Sequence, residues 1–472
     1  MRFLIAMPRF APMGFAYDFP LGLGYVSAAL KRAGHEVHCL NLNHEPGEFE
    51  DVLERKVREI DPDVFATGGL SPHFPIIAPL FSAARRAKPG IVNLVGGGIF
   101  SSDPDAVAPL LDIDIGAVGE ADETVVELAS ALEAGQGLDK VAGLALRQSD
   151  GGLRRTPERK ALHDIDALPW PDYEGFGVDR LLSMQTAADN SLFHFVDEPR
   201  ALPMVASRSC PYACTFCFHP IGRIYRERSL DSFFAELKDA VDRLGVNLLL
   251  VNDELFAVKK RRLMEFCERI GEFGIRWTAQ MHVSILDAEA IAALKKAGCV
   301  HASYGLESMS DTVLASMKKK IDRTRLETAL RLTHEAEIGI QGNFIFGDSA
   351  ETLATADETM AWWARHREYH ISLSLLQVYP GSPVYHRALA EGRGPAREDL
   401  IKETPAVNLT SMTDEEYRRF RFRTAIFRMT LTEPHPPLAF DVDDRPLPHR
   451  AETYHLAWEC PRCGRRNDLR RV

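Results

Sequence analysis

The tightest constraint on the fold is an alternation that occurs twice along the chain: short continuous apolar runs separated by stretches with apolar residues every three or four positions. The first series has runs at 3–7, 37–42, 63–67, 91–95 and 113–118, the pattern of strands buried on both faces. Between them Leu23, Val26 and Leu30 share one helix face, and Leu53, Val57 and Ile60 share another; further helices are expected over 76–87, 105–111 and 124–132. Such a series implies a parallel, doubly wound α/β sheet of about five strands. The second series starts at 202–206 and supplies six strand–helix units, as in a partial (βα)6 barrel with its site at the carboxyl ends of the strands. A chain of 472 residues is too long for one ordinary core. The expected division is a Rossmann-like domain over 1–145, a connector with a hairpin over 146–200, the partial barrel over 201–395, and a small, mainly helical region over 396–472.

After the first strand of the second series stand Cys210, Cys214 and Cys217 in a C-x3-C-x2-C spacing. Three thiolates so close can wrap one iron–sulfur cluster and leave its fourth iron open to a small molecule. Three packed core thiols are the alternative, but Pro211, Tyr212 and Thr215 break any core periodicity and mark a loop. In the first series glycines gather where strands end, at Gly68-Gly69, Gly96-Gly97-Gly98 and Gly119 before Glu120. Open α/β sheets bind ligands along that edge, and glycine allows close approach.

The cysteine spacing, with Phe216 before the third cysteine, resembles the radical S-adenosylmethionine (SAM) superfamily. The glycine-lined edge, with Pro20-Leu21-Gly22-Leu23-Gly24-Tyr25 and Val118-Gly119-Glu120, resembles the cobalamin-binding domain that precedes many of those enzymes. The resemblance implies a 4Fe-4S cluster on Cys210, Cys214 and Cys217, SAM chelated to the open iron, and cobalamin at the sheet edge. It implies a class B, methyltransferase-like enzyme that methylates an unactivated carbon of a small, natural-product-like substrate through methylcobalamin and a 5′-deoxyadenosyl radical. An external reductant such as flavodoxin or ferredoxin is implied as partner. The other readings are an empty first domain with deoxygenation, cyclisation or rearrangement, and a non-catalytic corrinoid carrier or metal sensor. The family's D-x-H-x-x-G motif is absent: His44-Glu45-Pro46-Gly47 has half of it, with Leu42 in place of the aspartate and after the wrong strand. No protein imidazole is therefore expected beneath the cobalt.

The resemblance places Gln280, Glu307, Ser308, Gly342 and Phe216 against SAM, and Ser71, Gly96, Gly97, Gly98, Gly119 and Glu120 against cobalamin. Gly305-Leu306-Glu307-Ser308 resembles the family's Gly-Ile-Glu-Ser stretch, and a strand-end carboxylate can accept hydrogen bonds from an amino group or a ribose. His282 is a substrate base or a spectator. Asp348 contacts substrate or caps the following helix, and the cap is the favoured reading.

Composition narrows the class further. Lys plus Arg number 56 and Asp plus Glu 67, a formal charge of 56 − 67 = −11, which argues against nucleic acid as the main partner. No run of 18 apolar residues could span a bilayer, and the apolar start stops at Pro8, short of a signal peptide; a cytoplasmic protein is expected. Near the end, Cys460-Pro-Arg-Cys463-Gly464 is a single knuckle of the zinc-ribbon kind. It lacks two of the four ligands zinc takes, so Cys460 and Cys463 are either a zinc pair completed elsewhere or a redox dithiol.

Overall fold

The computed structural model describes residues 1–429 apart from 13, 187, 188, 197 and 404, and beyond them 439–442, 454–459 and 466–469. The first sheet contains β1 (Arg2–Met7), β2 (Glu36–Asn41), β3 (Val64–Gly68), β4 (Val92–Gly96), β5 (Ile115–Ala117), β6 (Leu144–Arg147) and β7 (Leu153–Arg155). Its order is β2-β1-β3-β4-β5-β6-β7. The first five strands are parallel, and β1, β3 and most of β4 are buried on both faces by helices, which is why their sequences read as unbroken apolar runs. The order reverses between β1 and β3, so a crevice opens outside their carboxyl ends.

The hairpin β6–β7 pairs antiparallel onto β5. The sheet thus continues past the expected boundary at 145: a hairpin is legible from its Asp150-Gly151-Gly152 turn, but the strand it will pair with is not. The connector is tied back by Asp172, which accepts from Ser27 Oγ at 2.5 Å and pairs with Lys31 at 2.7 Å. Farther along, Phe193 packs with Ala201 and Leu248 and covers the amino ends of the second sheet.

That sheet contains β8 (Ala201–Met204), β11 (Leu248–Val251), β12 (Arg276–Met281), β13 (Cys299–Glu307), β14 (Gly339–Phe346) and β15 (Ser372–Leu375), all parallel and in sequential order. Between β8 and β11 lies an antiparallel pair the sequence did not announce, β9 (Ser207–Arg208) with β10 (Arg226–Glu227). Helix Asp414–Met429 packs beside β14 and β15, with Phe420 edge-on to Phe346 at 5.7 Å. The final region is not only helical: β16 (Ala439–Val442), β17 (Tyr454–Glu459) and β18 (Arg466–Leu469) form an antiparallel sheet. These strands are too short to show a period. Cys460 and Cys463 lie outside the described residues.

Candidate functional site

The cysteine loop hangs from β9 and returns through β10. Ser209 turns it with φ 67°, a left-handed conformation that side chains normally avoid. Its middle is held from behind: Thr215 N–H donates to Met317 O at 3.0 Å and Thr215 O accepts from Val384 N–H at 3.0 Å. All three thiols are free; Cys214 is buried and Cys210 and Cys217 are partly so. The hydrogen bond with Cys217 holds the Cys214 thiol down to about 7, with the Lys319 ammonium acting in the same direction, while Cys217 is pushed up in exchange. Burial pushes the Cys210 thiol up as well, so of the three only Cys214 gives up its proton readily. Thr215 Oγ1 and His219 Nε2 are buried without partners among the described residues, and Glu254 engages the other His219 nitrogen at 2.8 Å. Three free thiols on one loop are the donor set an iron–sulfur cluster takes, and Cys210, Cys214 and Cys217 would hold it.

At the mouth of the second sheet, Glu307 ends β13 with φ 65° and is buried. Lys319 Nζ donates to its Oε1 at 2.8 Å. Gln280, exposed on β12, donates to Glu254 O at 3.2 Å. Its register partners are Ser303 on β13 and, beyond it, Gln341 on β14, and Ser303 donates to Gln341 Oε1 at 2.6 Å. In a closed barrel such inward positions carry packed branched side chains; here they form an accessible row of amides and a hydroxyl. His282 stacks on Tyr212 with centroids 4.7 Å apart, and burial, helped by the Lys319 charge, pulls its pKa down to about 4. The ring is neutral at pH 7, and its Nδ1 lone pair accepts from Ser284 N–H at 3.3 Å. Phe216 is partly buried and packs, as Ile345 does, against the core that contains Leu376 and Val378.

Other expected residues are placed differently. The Ser308 hydroxyl bonds with Thr359 Oγ1 at 3.1 Å and accepts from Ser310 N–H, so it faces the helical layer. A Cβ on Gly342 would meet Leu306 at 2.6 Å and Ile371 at 2.9 Å; this glycine serves core packing, not ligand approach. Asp348 is not the cap of helix Leu353–Arg365. Thr352 is, accepting from Thr355 N–H at 3.2 Å, because its hydroxyl stands one residue before the helix. Asp348 Oδ1 instead accepts from Ala350 N–H at 2.9 Å, and Oδ2 is buried without a partner among the described residues.

At the first sheet, Leu70 and Phe15 stand out to solvent on the loops after β3 and β1, on the crevice where the strand order reverses. Gly97, at φ 81°, lets its loop close on Gly69, whose O accepts from Ile99 N–H at 2.9 Å. Ser71 is buried beside them, Gly96 meets only Ala117 at 3.9 Å, and a Cβ on Gly119 would meet nothing within 4 Å. Exposed apolar side chains beside open backbone fit the face of a macrocycle. His73 lies there too, but Leu70 N–H donates to its Nδ1 at 3.2 Å, which leaves the neutral ring's proton on Nε2 and no lone pair for cobalt. Glu120 faces away from the crevice: it pairs with Arg208 at 2.9 Å and Arg226 at 2.6 Å, while Asp122 pairs with Arg208 at 2.8 Å. It binds the two domains together. Phe218, next to Cys217, lies between Gly98, 3.7 Å from a Cβ there, and Gly381, 2.7 Å from one. The cysteine loop thus touches the glycine-lined edge.

Sequence reading missed Lys319, His219, Arg208 and Arg226. Arg208 and His219 carried a signal, standing two residues before Cys210 and two after Cys217.

Residues 17–129 match the B12 binding domain family and residues 204–362 the Radical SAM superfamily. The chain belongs to the radical SAM enzymes that carry a B12-binding domain. It is 26% identical over 381 residues to an uncharacterized methyltransferase of Pyrococcus horikoshii, covering 79% of this chain and 78% of that one. It is 27% identical over 435 residues to the anaerobic magnesium-protoporphyrin IX monomethyl ester cyclase of Cereibacter sphaeroides, covering 86% and 68%. Among solved structures its fold resembles the radical SAM methyltransferase TsrM from Kitasatospora setae, with TM-score 0.68 and 18% identity over 83% of this chain and 78% of that one.

Proposed function

We propose that this enzyme methylates an unactivated carbon of a small molecule. When bound, the cluster with SAM supplies the hydrogen-abstracting radical and cobalamin supplies the methyl group. The observation that carries this reading is Phe218, which joins the thiol loop to the glycine-lined edge, so that the two chemistries face one space. Cys210, Cys214 and Cys217 would hold the cluster, Glu307 the ammonium of SAM, and Phe216 with Ile345 and Val378 its adenine. Leu70 and Phe15 would cover one face of the corrin, without an imidazole beneath it. The row Gln280, Ser303 and Gln341 offers uncharged hydrogen-bonding groups and suits a substrate with hydroxyl or amide functions. Reduction calls for an external one-electron donor such as flavodoxin or ferredoxin. Among the described residues no helix is long and apolar enough to cross a membrane.

The cyclase relative favours a second reading, in which the same radical closes a ring without methyl transfer. Anaerobic turnover with methyl-deuterated SAM and candidate metabolites separates the two. Methylation gives a product heavier by one deuterated methyl group, with both 5′-deoxyadenosine and S-adenosylhomocysteine formed. An unlabelled product with 5′-deoxyadenosine alone overturns methyl transfer. The protein should also retain cobalamin with an absorption spectrum lacking nitrogen ligation from below.

A further inference from the structure

His44 follows β2, the edge strand of the first sheet, and is 8% exposed. Its neighbours fix which ring nitrogen carries the proton. Asn41 Nδ2 donates to Tyr17 OH at 2.5 Å, and Tyr17 OH lies 3.0 Å from His44 Nε2. With its oxygen already accepting, the buried phenol gives its own proton to Nε2, the arrangement that leaves no donor unused. Burial, helped by the charge of Arg180, pulls the His44 pKa down to about 4. The ring is therefore neutral at pH 7, with its proton on Nδ1. Among the described residues that N–H has no acceptor. Gly177, left-handed at φ 65°, stands beside it, and a Cβ there would come within 3.4 Å of Nδ1.

His44 lines a cavity of about 530 Å³ on the outer side of β2, between helix Phe49–Ile60 and residues 175–180 of the connector. That volume suits a small organic molecule. Leu4, Ile60 and Phe176 give the cavity an apolar wall, and Arg180 stands in its lining with no acceptor among the described residues. The Arg180 charge acts on both Tyr17 and His44, so the guanidinium and the Nδ1–H share one neighbourhood. Two donors that both lack acceptors are the complement of an anion, and a guanidinium matches the fork of a carboxylate. The anion should carry a single charge. Lys56, the other cation of the lining, is engaged by Glu59 at 2.9 Å, and Glu45, 3.9 Å from Arg55, brings a carboxylate of its own that repels a second negative charge. No residue of the cysteine loop or of the glycine-lined edge lines this cavity.

We propose that this cavity is a second binding site, for a small monocarboxylic acid with an apolar body: Arg180 and His44 Nδ1–H receive the carboxylate, and Phe176, Leu4 and Ile60 receive the body. The site stands apart from the reaction centre, so it does not depend on which reaction occurs there. The test uses full-length protein loaded with cluster, SAM and cobalamin, so that the places of those groups are filled. Calorimetric titrations compare hydrocinnamate, its uncharged amide and phenyl phosphate. The acid should bind once per chain, and the amide and the phosphate about tenfold more weakly, the scale of a lost charge-assisted hydrogen bond. Arg180 is exposed, so Arg180→Ala should fold as before, weaken the acid by a similar factor and leave the amide unchanged; Arg180→Lys should fall between. In protein with isotopically labelled histidine, the Nδ1–H resonance that His44→Phe removes should move when the acid is added. The proposal is overturned if the acid does not bind at about 10 mM, if acid and amide bind alike, or if the phosphate binds more tightly than the acid. It is equally overturned if Arg180→Ala binds the acid as the unaltered protein does, or if bound acid leaves the His44 resonance in place.

Discussion

Glu351 is a carboxyl group that burial pushes up to about 7 from 4.5, despite a hydrogen bond from Thr355 Oγ1 at 2.7 Å. Its proton is held more tightly in the folded chain than in the unfolded one. The stability it contributes is therefore full below about pH 4.5 and lost as pH rises through about 7. The ceiling is roughly 3 kcal/mol. Urea midpoints at pH 5 and pH 8 should show this slope, and Glu351→Gln should flatten it. Glu120 is buried among its partners: two arginines and the Leu162 N–H surround it. Glu120→Gln leaves Arg226 and Arg208 short of a countercharge in a buried place, and a loss of about 3 kcal/mol or more is expected in denaturant unfolding. The expectation that Glu120 touches cobalamin followed from the resemblance of Val118-Gly119-Glu120; which way a side chain leaves a strand end depends on partners 88 and 106 residues away.

Among the elements, the strap β9–β10 bears most on chemistry, because the cysteine loop begins and ends on it. Ser209→Val should destabilise the loop by about 1–2 kcal/mol, since a β-branched side chain tolerates a positive φ poorly, whereas Ser209→Gly should be tolerated; iron and sulfide content after reconstitution would report the difference. Both parallel sheets were legible because each strand is a continuous apolar run and each helix has a face. The strap was not: its strands are two residues long and carry charged side chains, so no period exists to read. Capping shows the same limit. Asp348 and Thr352 are both acceptable N-cap residues, and only the position of the helix start decides between them. Lys319 was hidden because a three-lysine run reads as a solvated surface until the turn at Lys318 is seen.

At the scale of the molecule, the two halves are joined by ion pairs at two places, the first buried and the second with a half-exposed arginine. Glu120 and Asp122 meet Arg208 and Arg226; on the other side Asp103 accepts from Tyr385 OH at 2.6 Å and pairs with Arg397 at 2.6 Å. Arg397→Ala should loosen the second joint alone, seen as faster proteolysis of the connector with little change in cysteine-loop iron content. Breaking the first joint should affect both.

The charge match between these halves also limits how such proteins can be recombined. A chimaera that takes its first domain from a relative must bring acidic residues to meet Arg208 and Arg226, or replace the arginines with it. Crossovers placed in the connector, where sequence alone would invite them, would separate residues that answer one another, so exchange of this module is expected to succeed only when both sides of the seam travel together.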